Sequence, residues 1–485
     1  MARSRSPAVI VAAILLVWGC NVDDSAPLER DASTPDLASP PVPGQDLGVA
    51  DLGAATSCQH LVFPSLSASD VQCGGGRCRV PSGRYSGALR FSASNVYELA
   101  GQVFIGDGTE ACSGALTIEA GTRIESRRNP LWSSLIILPN SEIRAEGTAD
   151  APIVFTSAEA SPWPGDWGGV VLSGRASVNC GGLGTTCLGE NDSGSYGGTV
   201  DADDSGVLRY VRIEYAGLHT RGPRRFNGLG LQGVGSGTLI DHVHVHRVAD
   251  DGIGILGGTV NAKHLIITGA EDDSFDWAFG WRGRAQFVIA RQHASPSGAD
   301  NGLEGGSNEQ DNEALPRSHP LLSNLTLIGA PRSVDSDLGI QLRTGTGGEI
   351  WSAVVYGFEA GLDLRSDGTF TNAPTSTGLT VRNSVLCNVQ NFRDDPQEAF
   401  AATDFFIDAQ GSFPRNVGNE AMSFPDCDLG LEAALDESAP NFTPPVESPL
   451  RSGGQSPSDP FFDPAPYRGA VEPGSGAWWT WTRFD

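Results

Sequence analysis

The sequence predicts an all-β protein, a right-handed parallel β-helix solenoid with a disulfide-rich N-terminal cap and an irregular C-terminal cap. Short runs such as LTIEAG at 116–121, LRYVRIEYAG at 208–217 and HLIITGAE at 264–271 alternate apolar with other residues and are bounded by Gly, Asn, Asp or Pro. This alternation is typical of short strands, and no segment shows helical periodicity over a dozen residues. A second motif, which recurs with a period of roughly 22 residues, arranges those strands as a solenoid.

The second motif consists of Gly, an aliphatic residue, any residue and an apolar residue, and its spacing sets the predicted register. GIGI at 252–255 aligns with SFDW at 274–277 and then with GLEG at 302–305, where a few extra residues lengthen the second interval. Later copies start at Gly339 and Gly361, separated again by the shorter interval. Units this short cannot bury a face alone, so neighbouring units must stack. A β-propeller, the alternative, needs blades of about 40 to 50 residues.

The first twenty residues predict export. Arg3 and Arg5 precede an apolar run over 8–18 that is too short to span a membrane, as in a secretory signal peptide. LVWGC at 16–20 resembles a bacterial lipobox, which implies that Cys20 is lipidated. An ordinary signal peptide cleaved nearby is the alternative. No later apolar stretch approaches the roughly 20 residues of a membrane-spanning helix, so we expect membrane contact through the lipid anchor only.

The remaining chain divides into four predicted segments. Residues 21–57 are rich in Asp, Pro and Ala with almost no aromatic residues, a composition that predicts a disordered tether. The segment 58–115 is the predicted disulfide-rich cap, 116–390 is the predicted β-helix, and 391–485 is the irregular C-terminal region. Caps are needed because an open solenoid end exposes unpaired strand edges. The predicted location is the bacterial cell envelope, at the outer membrane or cell surface, with secretion as the alternative.

The eight cysteines after the lipobox make an even number in a chain predicted to be exported, which indicates disulfides. Cys180 and Cys187 flank a glycine-rich loop and are expected to pair, as are Cys387 and Cys427. The four cysteines of the N-terminal cap allow three connectivities, and a zinc site at its C-x4-C pair is an alternative. The predicted disulfide cysteines are Cys58, Cys73, Cys78, Cys112, Cys180, Cys187, Cys387 and Cys427.

The charge of the chain limits its partners. Its 32 Lys and Arg residues against 58 Asp and Glu give a formal net charge of −26, whereas nucleic acid is bound by neutralising phosphates with basic residues. Lys263 is the single lysine, so no polybasic run is available for an anionic membrane surface. No G-x-G-x-x-G precedes a predicted helix. We therefore expect no nucleic acid, nucleotide or haem partner.

Several segments make the chain similar to a known group of proteins. They resemble the secreted bacterial parallel β-helix lipoproteins that are abundant in Bacteroidetes. The resemblance implies the β-helix and its C-terminal segment, and it carries over no catalytic residues because the group has no assigned activity. The segments are LTIEAGTRI at 116–124, GTADAPIVFTS at 147–157, GDWGGVVLSGRA at 165–176, LRYVRIEYAG at 208–217, GGTVNAKHLIITGAEDDSFDW at 257–277 and DPAPYRGAVEPGSGAWWTWTRFD at 463–485.

The predicted register aligns acidic residues from successive coils. Asp250 aligns with Asp272 and Asp300, and Asp251 aligns with Asp273. Neighbouring coils lie about 4.8 Å apart, so these like charges need a counter-ion or good solvation, and Ca²⁺ takes about six to eight oxygen ligands. A solvated acidic turn, whose Asp and Asn residues favour tight geometry, is the alternative. The candidate Ca²⁺ ligands are Asp250, Asp251, Asp272, Asp273, Asp276, Asp300 and Glu304.

Two further groups of residues offer metal ligands. His242, His244 and His246 alternate with valines and so face one side of a strand, predicted to be outward, and His242 would stack on His264 one repeat later. Imidazoles in such positions can share zinc or copper; the alternative is a row of polar residues on a solvated sheet face. DADDSG at 201–206 starts like a calcium loop but lacks the Glu at position 12 of an EF-hand.

Arginines and aromatic residues near the acidic positions suggest an enzyme or a sugar-binding surface. β-Helix polysaccharide lyases combine Ca²⁺ with an arginine base, and Arg282, Arg284 and Arg291 follow the acidic repeat. Related hydrolases use neighbouring aspartates as acid and base, but their downstream R-x-K element is missing. The tryptophans at 478–481 are predicted to cover the open solenoid end. Candidate sugar-stacking residues are Trp277, which also fits the core, Trp281, Trp351, Tyr356 and Phe358.

Together these features predict an exported, envelope-anchored β-helix that binds polysaccharide or a surface partner along its lateral face. A rigid solenoid offers many equivalent contacts along its length, which suits a polymer. The alternative is a Ca²⁺-dependent polysaccharide lyase or hydrolase. A purely structural envelope component is the second alternative.

Overall fold

The computed structural model defines a limited set of residues. The predicted signal peptide, the predicted lipidation residue Cys20 and the predicted tether 21–57 lie outside that set. Within it, every helix is too short or too polar to cross a membrane. The described residues are Cys58, 63–128, 133–180, 185–190, 193–219, 225–294, 299–331, 336–395 and 397–484.

The chain is all-β, as predicted, and is wound into a parallel solenoid. The α-helices of the described residues are α1 (Asp367–Asn372) and α2 (Ala402–Ile407), and short 3-10 helices lie at Ala68–Asp70, Glu432–Leu435 and Pro449–Arg451. The strands are β1 Ser65–Leu66, β2 Gln72–Gly74, β3 Arg77–Tyr85, β4 Gly87–Phe91, β5 Val96–Ile105, β6 Gly114–Ile118, β7 Arg123–Ser126, β8 Ser134–Ile137, β9 Glu142–Glu146, β10 Ile153–Ser157, β11 Gly169–Ser173, β12 Cys187–Leu188, β13 Ser195–Tyr196, β14 Gly206–Glu214, β15 Leu218–His219, β16 Arg225–Phe226, β17 Leu229–Gln232, β18 Leu239–Val248, β19 Ile253–Leu256, β20 Asn261–Ala270, β21 Phe275–Ala278, β22 Arg284–Arg291, β23 Ala299–Gly305, β24 Leu321–Ile328, β25 Ser336–Leu342, β26 Gly348–Trp351, β27 Val354–Tyr356, β28 Ala360–Leu364, β29 Leu379–Arg382, β30 Val385–Asn388, β31 Gln390–Arg393 and β32 Glu420–Ser423.

Each central coil contains one long, bent strand and one short strand. The long strands β18, β20 and β22 bend at His242, His264 and Phe287, whose φ angles of 54°, 52° and 59° are left-handed. Pairing before the bend forms sheet 1, and pairing after the bend forms sheet 2. The short strands β17, β19, β21, β23, β25 and β28 pair with one another to form sheet 3.

The predicted register is confirmed. Ile253 pairs with Phe275, and Phe275 pairs with Leu303, as the alignment of the first three motif copies requires. Further along, Ile340 pairs with Leu362, the corresponding residue of the next copy. Because the pairing is parallel and in register, each side chain lies directly above its counterpart in the preceding coil.

Parallel pairing begins on the N-terminal side of residue 116. β3 pairs with β5, and β5 pairs with β7 and β8, so the predicted cap segment 58–115 contributes coils of its own. The disulfides link Cys180 with Cys187 and Cys387 with Cys427, as predicted. In the N-terminal segment they link Cys58 with Cys112 and Cys73 with Cys78, where the sequence had left three connectivities open.

The inside of the solenoid is an apolar column. Val243, Leu265, Val288 and Leu325 occupy one position in successive coils of sheet 2, and all are at most 1% exposed. Complete burial of a side chain of this size stabilises the fold by roughly 1.5 to 3 kcal/mol. The column therefore explains why the repeat is visible in the sequence, since every coil must supply an apolar residue there.

The C-terminal end of this column is closed by phenylalanines around α2. Phe405, Phe406 and Phe413 are buried in the same apolar cluster as the solenoid interior. The ring of Phe400 lies 4.8 Å from that of Phe413. This part of the chain, and not the tryptophan cluster, covers the open end.

The C-terminal segment, residues 424–484, instead crosses the outward faces of sheets 1 and 2. Trp479 and Trp481 join a second apolar cluster with Ile266, Ile289 and Ile328, which point outward from sheet 2. The predicted position of the tryptophans at 478–481 is therefore wrong. Outward apolar side chains on sheet 2 need cover, and this segment provides it.

Candidate functional site

The acidic residues aligned by the register lie where sheet 2 turns into sheet 3. The turns after β18 and β20 and the start of β23 are stacked by hydrogen bonds between their backbones. The amide of Gly252 donates to the carbonyl of Asp273 at 2.8 Å, and the amide of Ser274 donates to the carbonyl of Asn301 at 2.9 Å. The parallel register of the strands thus continues into the turns and fixes the spacing of their side chains.

Seven carboxylates form a continuous array here, which we call the acidic ladder. Its members fall into three overlapping groups, and within each group the carboxylate oxygens lie within 4.8 Å of one another. The structure thus brings together all seven residues singled out from the sequence. The groups are Asp250, Asp251 and Asp272; Asp272, Asp273 and Asp300; and Asp273, Asp276 and Glu304.

Asn301 lies inside the acidic ladder. Its backbone amide and its Nδ2 donate to Asp273 Oδ1 at 3.0 and 2.7 Å, and Nδ2 also lies 3.5 Å from Glu304 Oε2. The side chain is 0% exposed, and its Oδ1 accepts no hydrogen bond from the described residues. A buried amide oxygen without a donor costs free energy, so this atom is an available ligand beside the carboxylates.

The environment of the ladder opposes ionisation. Burial, and secondly the neighbouring carboxylates, raise the pKa values of Asp251, Asp273 and Asp276 well above the usual range. Burial also raises the pKa of Glu304. These carboxyl groups therefore retain protons at a pH where an exposed aspartate has lost its own, unless a cation compensates their charge.

One arginine partly compensates the charge. Arg343 Nη2 lies 2.5 Å from Glu304 Oε1 and 3.3 Å from Glu309 Oε1, and Nε donates to Glu304 Oε1 at 2.7 Å. Glu304 is 9% exposed, whereas the guanidinium side of the pair remains in contact with water. Arg343 lies two residues after Gln341, which pairs with Glu304 in the next coil. Extending the alignment of the motif copies by one residue beyond 305 would have identified Arg343.

A family model described as a pectate-lyase-like β-helix domain matches residues 83–422. The chain belongs to this pectate-lyase-like β-helix family. No curated protein and no solved structure matches the chain. The match contains the whole acidic ladder and ends just before the C-terminal segment. The family supports a function connected with polysaccharide.

The arginines proposed from the sequence lie elsewhere in the pectate-lyase-like β-helix. Arg282 lies 3.2 Å from Asp201, and Arg284 lies 2.7 Å from Asp459 of the C-terminal segment. Arg291 is 1% exposed and donates to a backbone carbonyl of that segment. Their nearness to the acidic residues in sequence was misleading, because they belong to sheets 1 and 2 or to the turns that precede them.

The prediction that the histidines of β18 lie on a solvated sheet face is wrong. His244 and His246 do point outward from sheet 2, but both are 0% exposed, and they share the hydroxyl of Thr268 at 2.9 and 2.7 Å. Trp481 and Phe484 of the C-terminal segment lie over His244. Burial, and then neighbouring positive charge, lowers the pKa of His244 to about 3.

The stacking of His242 on His264 is as predicted. Their ring centroids are 4.3 Å apart with an interplanar angle of 25°. Both Nδ1 atoms approach Asp241. Although burial alone would raise it, the two neighbouring imidazoles hold the pKa of Asp241 below its usual range.

The predicted calcium loop at 201–206 is held by protein donors. Ser177 Oγ donates to Asp201 Oδ1 at 2.6 Å, and Arg175 Nε donates to Asp203 Oδ1 at 2.8 Å. Asp203 is buried in this contact. These carboxylates are already satisfied, so the loop differs from the acidic ladder, where like charges meet.

Aromatic side chains offer less surface than the sequence suggested. The rings of Trp277, Trp281, Tyr356 and Phe358 are buried, so the prediction that they stack on sugars is wrong for these four, and the stated core alternative holds for Trp277. Trp351 lies under the guanidinium of Arg382 at 4.2 Å. Trp163, by contrast, is 58% exposed and lines a cavity of about 100 Å³ with Glu271, the neighbour of Asp272.

Proposed function

We propose that this pectate-lyase-like β-helix binds polysaccharide along the edge where sheet 2 turns into sheet 3, with Ca²⁺ held by the acidic ladder. The acidic ladder is the observation that carries the proposal. Carboxylates from successive coils lie within 4.8 Å of their neighbours, and partly buried like charges at that spacing destabilise one another. A bound cation removes that cost and gives the surface a charge that complements hydroxyl and carboxylate oxygens of a sugar chain.

The donor atoms fit Ca²⁺. They are carboxylate oxygens with one amide oxygen, the Oδ1 of Asn301, which accepts no hydrogen bond within the described chain. Ca²⁺ prefers such oxygen ligands and tolerates irregular geometry, whereas Zn²⁺ prefers nitrogen and sulfur. Asp273, Asp276 and Glu304 are the ladder group best placed to hold an ion, because their oxygens lie within 4.8 Å of one another and Asn301 contacts two of them.

The form of the surface supports a polymer as the ligand. The ladder repeats along the solenoid with the coils, and Trp163 exposes an aromatic ring beside Glu271 at the same edge. A sugar ring packs its apolar face against such a ring and bonds through its hydroxyl groups. Exported β-helix proteins at the cell envelope meet polysaccharide there, so envelope display forms part of the proposal.

Binding can be tested on the chain that starts at Cys58 and so keeps every described residue, using a glycan array read in Ca²⁺ and in EDTA. We expect binding in Ca²⁺ that is lost in EDTA, in Asp273→Asn and in Trp163→Ala. Asp150→Asn, an exposed acid in a distant turn, is the matched control and should bind as the parent does. Binding that is the same in EDTA, or unchanged in Asp273→Asn, contradicts the proposal.

A Ca²⁺-dependent polysaccharide lyase or hydrolase is the second candidate. It is favoured by Asp276 and Glu304, which share the ladder but differ in their surroundings, since Glu304 forms the ion pair with Arg343. Two carboxyl groups in unequal environments can divide the roles of acid and base. Ca²⁺, when bound beside a uronate, would acidify the proton next to its carboxylate.

Turnover separates the candidates. Ultraviolet absorbance on a panel of uronate polymers detects lyase products, and reducing-end release detects hydrolysis. Activity that is lost in Asp276→Asn and kept in Asp150→Asn supports the enzyme. Binding without turnover supports the first proposal. The absence of both binding and turnover would favour a structural component of the envelope.

Envelope anchoring is a separate part of the proposal. It rests on the lipobox-like LVWGC at 16–20, outside the described residues. In a bacterial host, we expect the full chain to incorporate labelled fatty acid and to fractionate with membranes, and Cys20→Ser to do neither. Membrane association of Cys20→Ser equal to that of the parent would contradict lipidation at Cys20.

A further inference from the structure

A second cluster of metal-ligating side chains lies at the bend between sheets 1 and 2. The left-handed backbone at His242 and His264 turns both imidazoles away from the sheets, and the coil register stacks them at 4.3 Å. Their Nδ1 atoms lie 2.9 and 2.8 Å from the same oxygen, Asp241 Oδ1. The three ligand atoms thus converge within 4.8 Å of one another.

The carboxylate is oriented from its other side. Arg209 Nε lies 3.4 Å from Asp241 Oδ2, so Oδ1 is the oxygen that faces the imidazoles. Contacts of this kind behind a ligand fix its orientation in metal sites. The side chains of Asp241, His242 and His264 are 16%, 14% and 24% exposed, which leaves a path for an ion while removing most of the water.

We propose that Asp241, His242 and His264 bind a divalent transition-metal ion, with Zn²⁺ the best match. Two imidazole nitrogens and one carboxylate oxygen are a common protein set for Zn²⁺, and three such ligands leave one position open for water. Imidazole also suits Cu²⁺, whereas Ca²⁺ and Mg²⁺ prefer all-oxygen sites. The site is therefore chemically distinct from the acidic ladder.

A metal-free explanation of the same contact makes a different prediction. In that explanation the Nδ1 of His264 carries a proton and donates it to Asp241 Oδ1 at 2.8 Å, whereas the Nδ1 of His242 lies 2.9 Å from the same oxygen without a hydrogen bond among the described residues. In that case the cluster gains nothing from added metal. In the proposed site, both Nδ1 atoms bind the ion without a proton, so Zn²⁺ stabilises the folded state.

Thermal melting and titration calorimetry with ZnCl₂, on the same chain starting at Cys58, test the proposal. We expect Zn²⁺ to raise the melting temperature of the parent, with the rise abolished in His264→Gln and Asp241→Asn and reversed by EDTA. Arg209→Gln should weaken binding about tenfold, the effect of losing an orienting contact. His319→Gln, which alters a half-buried histidine elsewhere, should respond like the parent.

A spectroscopic measurement keeps the test independent of stability. The ring of Trp478 lies 5.2 Å from that of His264, so Cu²⁺ in the site should quench part of the tryptophan fluorescence. The quenched part should shrink in Trp478→Phe, because the ring of Trp481 also lies 6.2 Å from that of His242, and it should disappear in His264→Gln, whose folding is checked by circular dichroism. No response of the parent to Zn²⁺ and Cu²⁺, or an equal response in His264→Gln, overturns the proposal.

Discussion

Two outward faces of the same solenoid have opposite chemistry. Sheet 2 points Ile266, Ile289 and Ile328 outward and is covered by the C-terminal segment. The edge of sheet 3 points carboxylates outward, and Asp300 is exposed. Both faces are built by one backbone repeat, so the repeat determines the interior and leaves the outward positions free to differ.

The contrast between the covered face of sheet 2 and the acidic ladder separates structural constraints from functional ones. The family model matches residues 83–422, which form the coils. The segment that covers sheet 2, residues 424–484, lies beyond this match. Burial there is compensated by apolar contact, whereas burial at the ladder is opposed by charge. Removing an apolar side chain should therefore destabilise the covered face of sheet 2, whereas removing a carboxylate should stabilise the acidic ladder.

The largest expected effect is at the covered face. Trp481 is 4% exposed and lies over Tyr210 and His244, so Trp481→Ala should lower the free energy of unfolding by about 3 to 5 kcal/mol. Urea denaturation measures this loss. Trp481 Nε1 donates no hydrogen bond to the described residues, so Trp481→Phe should retain most of the stability.

Trp163→Ala is the matched control on an uncovered surface. Trp163 is 58% exposed, and its removal should change stability by less than about 0.5 kcal/mol. An equal loss in Trp163→Ala and Trp481→Ala would show that the C-terminal segment does not stabilise sheet 2 through burial.

The next effect is an opposite pH dependence of the two faces. Burial lowers the pKa of His244 to about 3, so between that value and its ordinary pKa of about 6.5 the folded state binds fewer protons than the unfolded state. Stability at this face must fall as the pH falls through that range, by on the order of 3 kcal/mol at about pH 4. Urea midpoints at several pH values should show a smaller acid loss in His244→Gln than in the parent or in His319→Gln.

At the acidic ladder the sign is reversed. The raised pKa values of Asp251, Asp273 and Asp276 mean that the folded state binds more protons than the unfolded state above about pH 4. Without Ca²⁺, the ladder's contribution to stability therefore falls as the pH rises. If the urea midpoints of the parent and His244→Gln fell equally as the pH was lowered, burial of His244 would not be the cause of the acid sensitivity of the covered face.

The interior and the ladder could be predicted from sequence because a periodic pattern records them. Ile253 and Phe275 occupy one apolar column, and that column also fixes the register of Asp251 with Asp273. The position of the C-terminal segment leaves no periodic signal. Lys263, for example, lies 2.6 Å from Asp463, which is far away in the chain, and such a contact is visible only in three dimensions.

The same limit explains the misplaced functional residues. His244 and His246 were correctly placed on the outward side of their strand, but their solvent exposure depended on a segment from the far end of the chain. Arg343 was missed because it lies one residue beyond the motif copy that starts at Gly339, although Gln341 in that copy pairs with Glu304. Insertions move residues out of a fixed repeat, while the parallel pairing restores their alignment.

A smaller effect is expected at the acidic ladder. Asp276→Asn removes a partly buried carboxyl group whose ionisation beside Glu304 is unfavourable, so in EDTA at neutral pH it should raise the free energy of unfolding by roughly 1 kcal/mol. It should also reduce the stabilisation that Ca²⁺ gives to the parent. Melting curves in EDTA and in Ca²⁺ measure both effects, with Asp150→Asn as control. A loss of stability in EDTA would mean that Asp276 makes a favourable contact that outweighs the repulsion.

The smallest effect concerns the ladder's own counter-charge. Arg343 pairs with Glu304 and Glu309 while about a third of its side chain is exposed, so Arg343→Gln should cost at most about 1 kcal/mol in EDTA. Because the variant leaves the ladder more negative, Ca²⁺ should stabilise it more than it stabilises the parent, and high salt should narrow the difference. If Ca²⁺ stabilised both proteins equally, the ion and Arg343 would not share the same carboxylates.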